Sequence, residues 1–387
     1  MCGLAGIISN RNDKQLKISK LLSFLHNRGP DAKNTLNINN KLILGHTRLS
    51  IIDIDDRANQ PMISKSKKNV IVFNGEIYNY KELKKSFFNN FIFRTSSDTE
   101  VLLEGIEKYG FDFLKNVRGF YSFAIYDYEK NKIFLVKDLF GKKPLFYFKN
   151  QSEFYFSSDL HGLANLNENK NINHFGLTHY FWKGYFHEEN TIYQNIKSVL
   201  PGDILEYDLN NNVLKNFQRN NFLKFSFAKK KRTIENIEQL LSESLRYRKV
   251  SDVEISYLLS GGVDSSIVCK FASYNEKINT YYVKNKKEPN IFDSLSQKVS
   301  DSIESNHNEI EIDGLKLDEI LQKNFDMFHE PFADSSSIPS YLIYNKISKR
   351  TKVAISGDGA DEIFGGYQDY KIFVLKNFIN SFPSSSN

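Results

Sequence analysis

Cysteine is nearly absent from this sequence: 387 residues carry two, Cys2 and Cys269. Two thiols this few and this differently placed cannot build a disulfide framework, so the composition points to a reducing, cytoplasmic setting. No apolar run reaches the roughly 18 residues that a membrane helix needs, and no secretory leader follows a basic start. The 8 histidines are scattered without Cys/His ligand spacing, which argues against zinc. No G-x-x-x-x-G-K-[ST] sequence occurs, which argues against a kinase or GTPase type of phosphate loop. The net charge of +6 invites nucleic acid. Basic and acidic residues interleave, however, and the densest basic run, Lys229 to Arg232, has the character of a solvated linker; neither nucleic acid nor membrane is an expected partner.

A hydrophobic content of 40% with 25% charged residues is ordinary for a globular chain with a sizeable core. Residues 1–210 alternate short apolar runs with turns, as in "LAGII", "KLILGHTRL", "NVIVFN", "FYSFAIYDY" and "KIFLVKD". This pattern predicts an α+β domain of stacked sheets with flanking helices. One helix is expected to start at "SSDTEVLLEGIEKYG", where Ser97 and Glu100 have capping-box spacing and Gly110 supplies the stop. Residues 211–232 read as a linker. From 233 to 387 strand–turn–helix units follow in series, behind Thr233 as an N-cap, and predict an α/β domain with a parallel sheet.

Two glycine turns carry the chemistry of the second domain. In "LLSGGVDSS" an apolar strand runs into Ser260-Gly261-Gly262, and a helix starts near Asp264. Backbone N–H groups of paired glycines and a helix N-terminus suit a phosphate. Asp264 would repel that phosphate unless it held Mg²⁺ against it. "VAISGDGADEIFGGY" repeats the logic and gathers Asp358, Asp361 and Glu362 within five positions. At the other end, "MCGLAGI" leaves three readings of Cys2 open: a buried small hydrophobe, half of a disulfide, or a nucleophile released at the mature terminus by loss of Met1. In the last case the adjacent α-amine, of ordinary pKa about 8, would take the thiol proton.

"SGGVDSS" resembles the signature of ATP pyrophosphatases. "EPFADSS" and "SGDGADEIFGGY" are similar to the synthetase half of the glutamine-hydrolysing asparagine synthases, and "MCG", "RLSI", "NGEIYN" and "SDTE" to its glutaminase half. The resemblance spans nearly the whole chain. It implies an N-terminal-nucleophile hydrolase domain with stacked antiparallel sheets (1–210) joined to an ATP-pyrophosphatase domain (233–387). Cys2 is then the catalytic thiol, with the Asn74 amide and the Gly75 N–H as its oxyanion hole. Glutamine would be held by Arg48, Leu49, Ser50, Ile51, Ile52, Asn74, Gly75, Glu76 and Asp98. Among these, Arg48 faces the α-carboxylate as a bidentate fork, Asp98 the α-ammonium, and Glu76 adds an acceptor nearby. ATP would be held by Leu258, Ser260, Gly261, Gly262, Asp264, Ser265, Val283, Ser356 and Gly357. Mg²⁺ falls to Asp264 and Asp361, and Asp358 is a catalytic acid of the synthetase.

The implied reaction is the ATP-dependent amidation of L-aspartate with ammonia from L-glutamine, through an aspartyl-adenylate, giving AMP and diphosphate. Alternatives within the resemblance are another carboxylate acceptor, such as a sugar uronic acid, or a chain that keeps only glutaminase or partner-binding activity. A homodimer is compatible with all of these. "RGPD" at 28–31 and "DLFGKKPLFY" at 138–147 read as architecture around the site and the inter-domain passage. The chain departs from family wording at Asn27, Lys137, Asp159 and His329, and it ends earlier than members of the family usually do, as a truncated one would.

Overall fold

The computed structural model describes residues 1–219, 233–285, 290–312, 317–328 and 330–380; His329 lies outside them. The chain divides into two compact units. The first comprises Met1–Lys231, Val250–Asp252 and Lys316–Ile338; the second comprises Arg232–Lys249, Val253–Leu315 and Pro339–Asn387.

The first unit stacks two antiparallel sheets. Its strands are β1 (Gly3–Ile8), β2 (Ala32–Asn37), β3 (Leu42–Arg48), β4 (Met62–Ile63), β5 (Asn69–Ile77), β6 (Gly119–Asp127), β7 (Lys132–Lys137), β8 (Phe146–Lys149), β9 (Phe154–Ser157), β10 (Lys197–Ser198), β11 (Asp203–Asp208) and β12 (Val213–Arg219). One sheet has the order β10-β8-β9-β1-β3-β2 and the other β12-β11-β7-β6-β5-β4. Its helices are α1 (Lys14–Phe24), α2 (Tyr80–Phe87), α3 (Asp98–Tyr109), α4 (Leu160–Leu166) and α5 (His174–Lys183).

The period-2 pattern decides the layers. Leu4 and Ile8 of β1 join Val70, Val72, Ala124 and Leu135 in the core between the sheets. Ala5 and Ile7 point the other way, against Ile18, Leu21 and Leu22 of α1 and Leu163 of α4. On the far side, Ile71, Phe73, Phe123 and Ile125 pack under α2 and α3. Every residue of β1 is therefore buried. At about 1.5–3 kcal/mol for each large apolar side chain, that burial fixes the strand from which Cys2 emerges.

The expected boundaries shift in two places. Residues 213–219, read from sequence as linker, form β12, paired with β11 from Asp203↔Arg219 to Asp208↔Val213. As an edge strand it keeps Val213, Lys215, Asn216 and Phe217 exposed, so its polar composition imitates a linker. Of the expected linker, residues 220–232 lie outside the described ones. The segment Lys316–Ile338 groups with the first unit: Glu330 Oε2 accepts the Ile192 N–H at 3.1 Å, and the Ala333 N–H donates to Gly184 O at 3.0 Å.

The second unit is a parallel sheet of β13 (Ile255–Leu258), β14 (Asn279–Asn285), β15 (Asn306–Ile312) and β16 (Val353–Ile355), in the order β15-β14-β13-β16. Helices α6 (Ile234–Arg248), α7 (Val263–Ala272) and α8 (Ile291–Ser302) contribute Leu245, Cys269, Ala272 and Val299 to one core. Leu258, Tyr281, Val283 and Ile310 pack with Ile343 and Ile347 in another. The order matters for function. The chain leaves β13 toward β14 and β15 on one side, then returns to β16 on the other. Such a reversal opens a crevice at the carboxyl ends of β13 and β16, where α/β sheets bind ligands. The Thr233 hydroxyl caps α6 as expected, accepting the Asn236 N–H at 3.3 Å.

Candidate active site

Cys2 is placed by strand register. Gly3 of β1 pairs with Thr47 of β3, so the residue before Gly3 arrives beside Arg48 and Leu49. The Leu49 N–H donates to Cys2 Sγ at 3.4 Å, and the thiol reaches Leu49 O at 3.8 Å. Arg28 Nε donates to Cys2 O at 3.2 Å. The "RGPD" turn braces this corner. Gly29 backs onto the Thr47–Arg48 backbone, where a Cβ would collide. The Asp31 N–H donates to Arg48 O at 2.9 Å, and Asp31 Oδ2 accepts the Ser50 N–H at 2.7 Å. Burial pushes the Cys2 thiol up from its ordinary value, against the pull of the terminal amine, the Leu49 N–H and Arg48. Neither cysteine is in a disulfide.

Asn74, Gly75 and Glu76 lie within β5, paired with Ser122, Tyr121 and Phe120 of β6. The "NG" pair is thus mid-strand, not a hairpin turn. A side chain at position 75 would strike Phe120 O, so glycine is required there. Asn74 is 1% exposed, and neither its amide nitrogen nor its amide oxygen has a partner. An unpaired buried amide costs about 1–3 kcal/mol, a penalty that needs a reason.

Helix α3 supplies the next wall. The Ser97 hydroxyl caps it by accepting the Thr99 N–H at 3.1 Å. The expected capping box does not close: Glu100 instead accepts the Thr95 N–H at 2.7 Å and the Arg94 N–H at 3.0 Å. Asp98 accepts the Ile77 N–H at 2.8 Å. Burial lifts Asp98 to about 6 despite that bond. Glu76 is pushed up to about 7 by burial and by Asp98, while Lys143 and the terminal amine pull it down.

These groups face one pocket of about 570 Å³, open solvent at its mouth included. Of the residues expected to hold glutamine, Arg48, Leu49, Ile51, Ile52, Asn74, Gly75, Glu76 and Asp98 line it together with Cys2, whereas Ser50 does not. Arg48 is more committed than expected. Nη1 donates to Asp55 O and Asn59 Oδ1, each at 2.9 Å, and Nη2 to Ile52 O at 3.3 Å and to Asp53 O. Its charge faces the pocket while its fork shapes the 52–59 loop. Sequence reasoning missed Lys143, Gln60 and Thr99 as lining residues. Lys143 and Thr99 carried a signal, their places in "DLFGKKPLFY" and "SDTE"; Gln60 is brought in by tertiary packing, its Nε2 donating to Thr99 Oγ1 at 3.3 Å.

In the second unit the two glycine turns meet. Gly261 has φ +80°, in the region that favours glycine. Ser265 Oγ and Ser260 Oγ lie 2.8 Å apart, and the Ser266 hydroxyl donates to Gly262 O at 2.6 Å. A Cβ on Gly357 would sit 2.9 Å from Ser265 N and 3.1 Å from Asp264 Cβ, so the turn after β16 lies directly on the start of α7. The register Tyr257↔Ile355 of adjacent parallel strands enforces this approach. Leu258 and Val283 both pack against the cluster of Tyr281, Ile310 and Ile347. Asp358 accepts the Ser356 hydroxyl at 2.8 Å. Gly357→Ala is expected to destabilise this unit by about 1–3 kcal/mol, checked by its melting temperature.

Among the described residues, no three His, Cys, Asp or Glu side chains form a metal-holding group. A Mg²⁺ that keeps its waters needs only one or two carboxylates from a protein; Asp264 and Asp361, expected from the sequence to supply them, stand in α7 and in the short helix Ala360–Phe364. No helix among the described residues is long and apolar enough to cross a membrane.

Two stacked antiparallel sheets with a thiol at the head of a central strand are followed in the chain by a parallel-sheet unit in which two glycine turns meet. Residues 1–218 match the glutamine amidotransferase domain family and residues 236–382 the asparagine synthase family. A Methanocaldococcus jannaschii protein named as a glutamine-hydrolysing asparagine synthetase is 32% identical over 99% of this chain and 79% of its own length. Asparagine synthetase 1 of Bacillus subtilis is 28% identical over 96% of this chain and 60% of its own length. Asparagine synthetase B of Escherichia coli is 29% identical over 95% of this chain and 65% of its own length. The chain belongs to the glutamine-hydrolysing asparagine synthetase family, whose members are carbon–nitrogen ligases with glutamine as nitrogen donor.

Proposed function

We propose that this chain hydrolyses L-glutamine at Cys2 and uses the ammonia to amidate L-aspartate with ATP. The observation that carries the reading is the Asn74 amide, buried without a partner in the pocket that holds the thiol. A buried donor left unpaired in a pocket beside the nucleophile is what a developing oxyanion requires.

Loss of Met1 would place the α-amine on Cys2 itself. Burial already depresses the Met1 amine to about 5, and the same surroundings would keep an amine at Cys2 in its neutral, proton-accepting form at pH 7. That amine takes the thiol proton as sulfur attacks the side-chain amide carbon. The oxyanion is met by the Asn74 amide and the Gly75 N–H. Collapse expels ammonia, carrying the proton from the amine, and leaves a thioester that water converts to glutamate. Asp98 and Glu76 receive the substrate α-ammonium; Arg48 supplies the positive end for its carboxylate.

In the second unit the Ser260–Gly262 loop and the start of α7 receive the diphosphate of ATP, with adenine at Leu258, Val283, Ser356 and Gly357. The aspartate carboxylate attacks the α-phosphorus and diphosphate leaves; ammonia then attacks the acyl-adenylate and AMP leaves. Asp264 and Asp361 would hold Mg²⁺, which neutralises phosphate charge, and Asp358 acts beside it on the synthetase reaction. A reactive thiol of this kind works in the reducing cytoplasm.

A steady-state assay is expected to give AMP and diphosphate dependent on aspartate and Mg-ATP, alongside glutamate. Glutamate release without diphosphate from any carboxylate would remove the synthetase half. The pocket acids add a pH signature. Only ionised Glu76 and Asp98 attract an ammonium, and they ionise near 7 and 6. Glutamine binding should therefore tighten as pH rises, on the order of tenfold between pH 5.5 and 8. Calorimetry on the Cys2→Ala variant measures this without turnover; a flat profile would show that the acids do not meet the ammonium.

A further inference from the structure

The pocket holds a cation that the glutaminase chemistry above does not use. Lys143 lines it together with Cys2, Glu76 and Asp98, and no hydrogen bond or ion pair ties its ammonium to another of the described residues. Its backbone is held firmly. The Asp138 N–H donates to Tyr121 O at 2.9 Å, and Asp138 Oδ2 accepts the Tyr121 N–H at 3.1 Å. The Ser122 hydroxyl donates to Pro144 O at 3.2 Å. These bonds pin the loop on both sides of Lys143 to β6, directly opposite Gly75 and Asn74 of β5. The "DLFGKKPLFY" segment is therefore a mount that delivers one ammonium to the strand carrying the oxyanion hole and Glu76.

Arg48, the other pocket cation expected to meet substrate, has four of its donors on the 52–59 loop. Burial first, and then Asp98 of α3, favours the protonated form of Glu76, with Lys143 and the terminal amine opposing. Burial lowers Lys143 from the ordinary lysine value and Arg28 adds to this, while Glu76, Cys2 and Asp138 oppose it.

We propose that Lys143 is a positioning residue for glutamine recognition: its ammonium, mounted on β6 by the Asp138 and Pro144 contacts, shares the pocket with Glu76 and Asp98 and counterbalances their like charges so that the pair can receive the substrate's α-ammonium. This rests on the glutaminase reading and adds to it a residue that acts through Glu76. The lysine sets the charge of the acceptor and so the lower pH limit of the site.

The test uses the full chain, carboxyl-labelled on glutamate, with Glu76 assigned by comparison with Glu76→Gln. In Lys143→Met the NMR titration midpoint of Glu76 should rise by about one pH unit, and Lys143→Arg should restore it. The acid limb of the pH profile for glutamine KM should move up in parallel, with kcat at its alkaline plateau changed less than KM. An unmoved Glu76 midpoint in folded Lys143→Met overturns the proposal, as does a loss of activity that is uniform across pH. If the unsubstituted chain releases no glutamate at all, the glutaminase reading fails, yet the Glu76 midpoint still decides whether Lys143 controls that carboxylate.

Discussion

Replacing Cys2 with alanine is expected to reduce glutamine-dependent glutamate release by at least about 10⁴-fold, because the substitution deletes the attacking atom and leaves only binding and the oxyanion hole. Synthesis driven by added ammonia should persist, since the synthetase chemistry assigned to the second unit needs ammonia but no thiol. Cys2→Ser tests the same step more finely. A hydroxyl is a far weaker acid than a thiol and gives up its proton poorly to a neighbouring amine, so it should restore little. Glutamate release and AMP formation, measured in parallel with each nitrogen source, separate the two activities. Loss of ammonia-driven synthesis in a folded Cys2→Ala protein would contradict two separate sites. The active protein should also lack Met1 by intact mass. As long as Met1 is attached, the buried amine belongs to the wrong residue, and the thiol has no base on its own backbone.

The second large effect belongs to Asn74. Removing one oxyanion donor typically costs about 10²–10³ in kcat, equivalent to about 2.7–4 kcal/mol of transition-state stabilisation. Asn74→Ala should show that loss with little change in KM, because the ground-state amide oxygen does not yet carry the charge being stabilised. Its effect on stability should be small or even favourable. Asn74 is buried with both amide atoms unpartnered, so its removal relieves a desolvation penalty while opening only a modest cavity. A large fall in kcat without a fall in melting temperature separates a catalytic amide from a packing one. A parallel collapse of both would make Asn74 structural.

Much of this was legible because the relevant signals are local. A glycine turn straight after an apolar strand is a local signal, and the turns at 260–262 and 356–359 are both legible from it. Ser97 at the start of α3 is equally local, and it caps the helix as expected. The capping box failed for a reason outside its own window: Glu100 is captured by Thr95 and Arg94, which reach it only because the preceding segment folds back on the helix. The edge strand β12 was missed because half of an edge strand faces water, and a polar, asparagine-rich stretch then looks the same as a linker.

The sequence by itself determined the two kinds of sheet and both glycine turns, because each depends on residues adjacent in the chain or on a period of two; it pointed to Cys2, Asn74 and Gly75 only through the family resemblance. Tertiary structure alone decided the rest. Strand register set Cys2 beside Leu49, and the order β14-β13-β16 laid Gly357 on Asp264. It also turned Arg48 inward onto carbonyls and brought Lys143 to Glu76. Pairings between residues dozens of positions apart follow from which faces are buried together, and burial of that kind is a property of the assembled layers that no stretch of sequence carries alone.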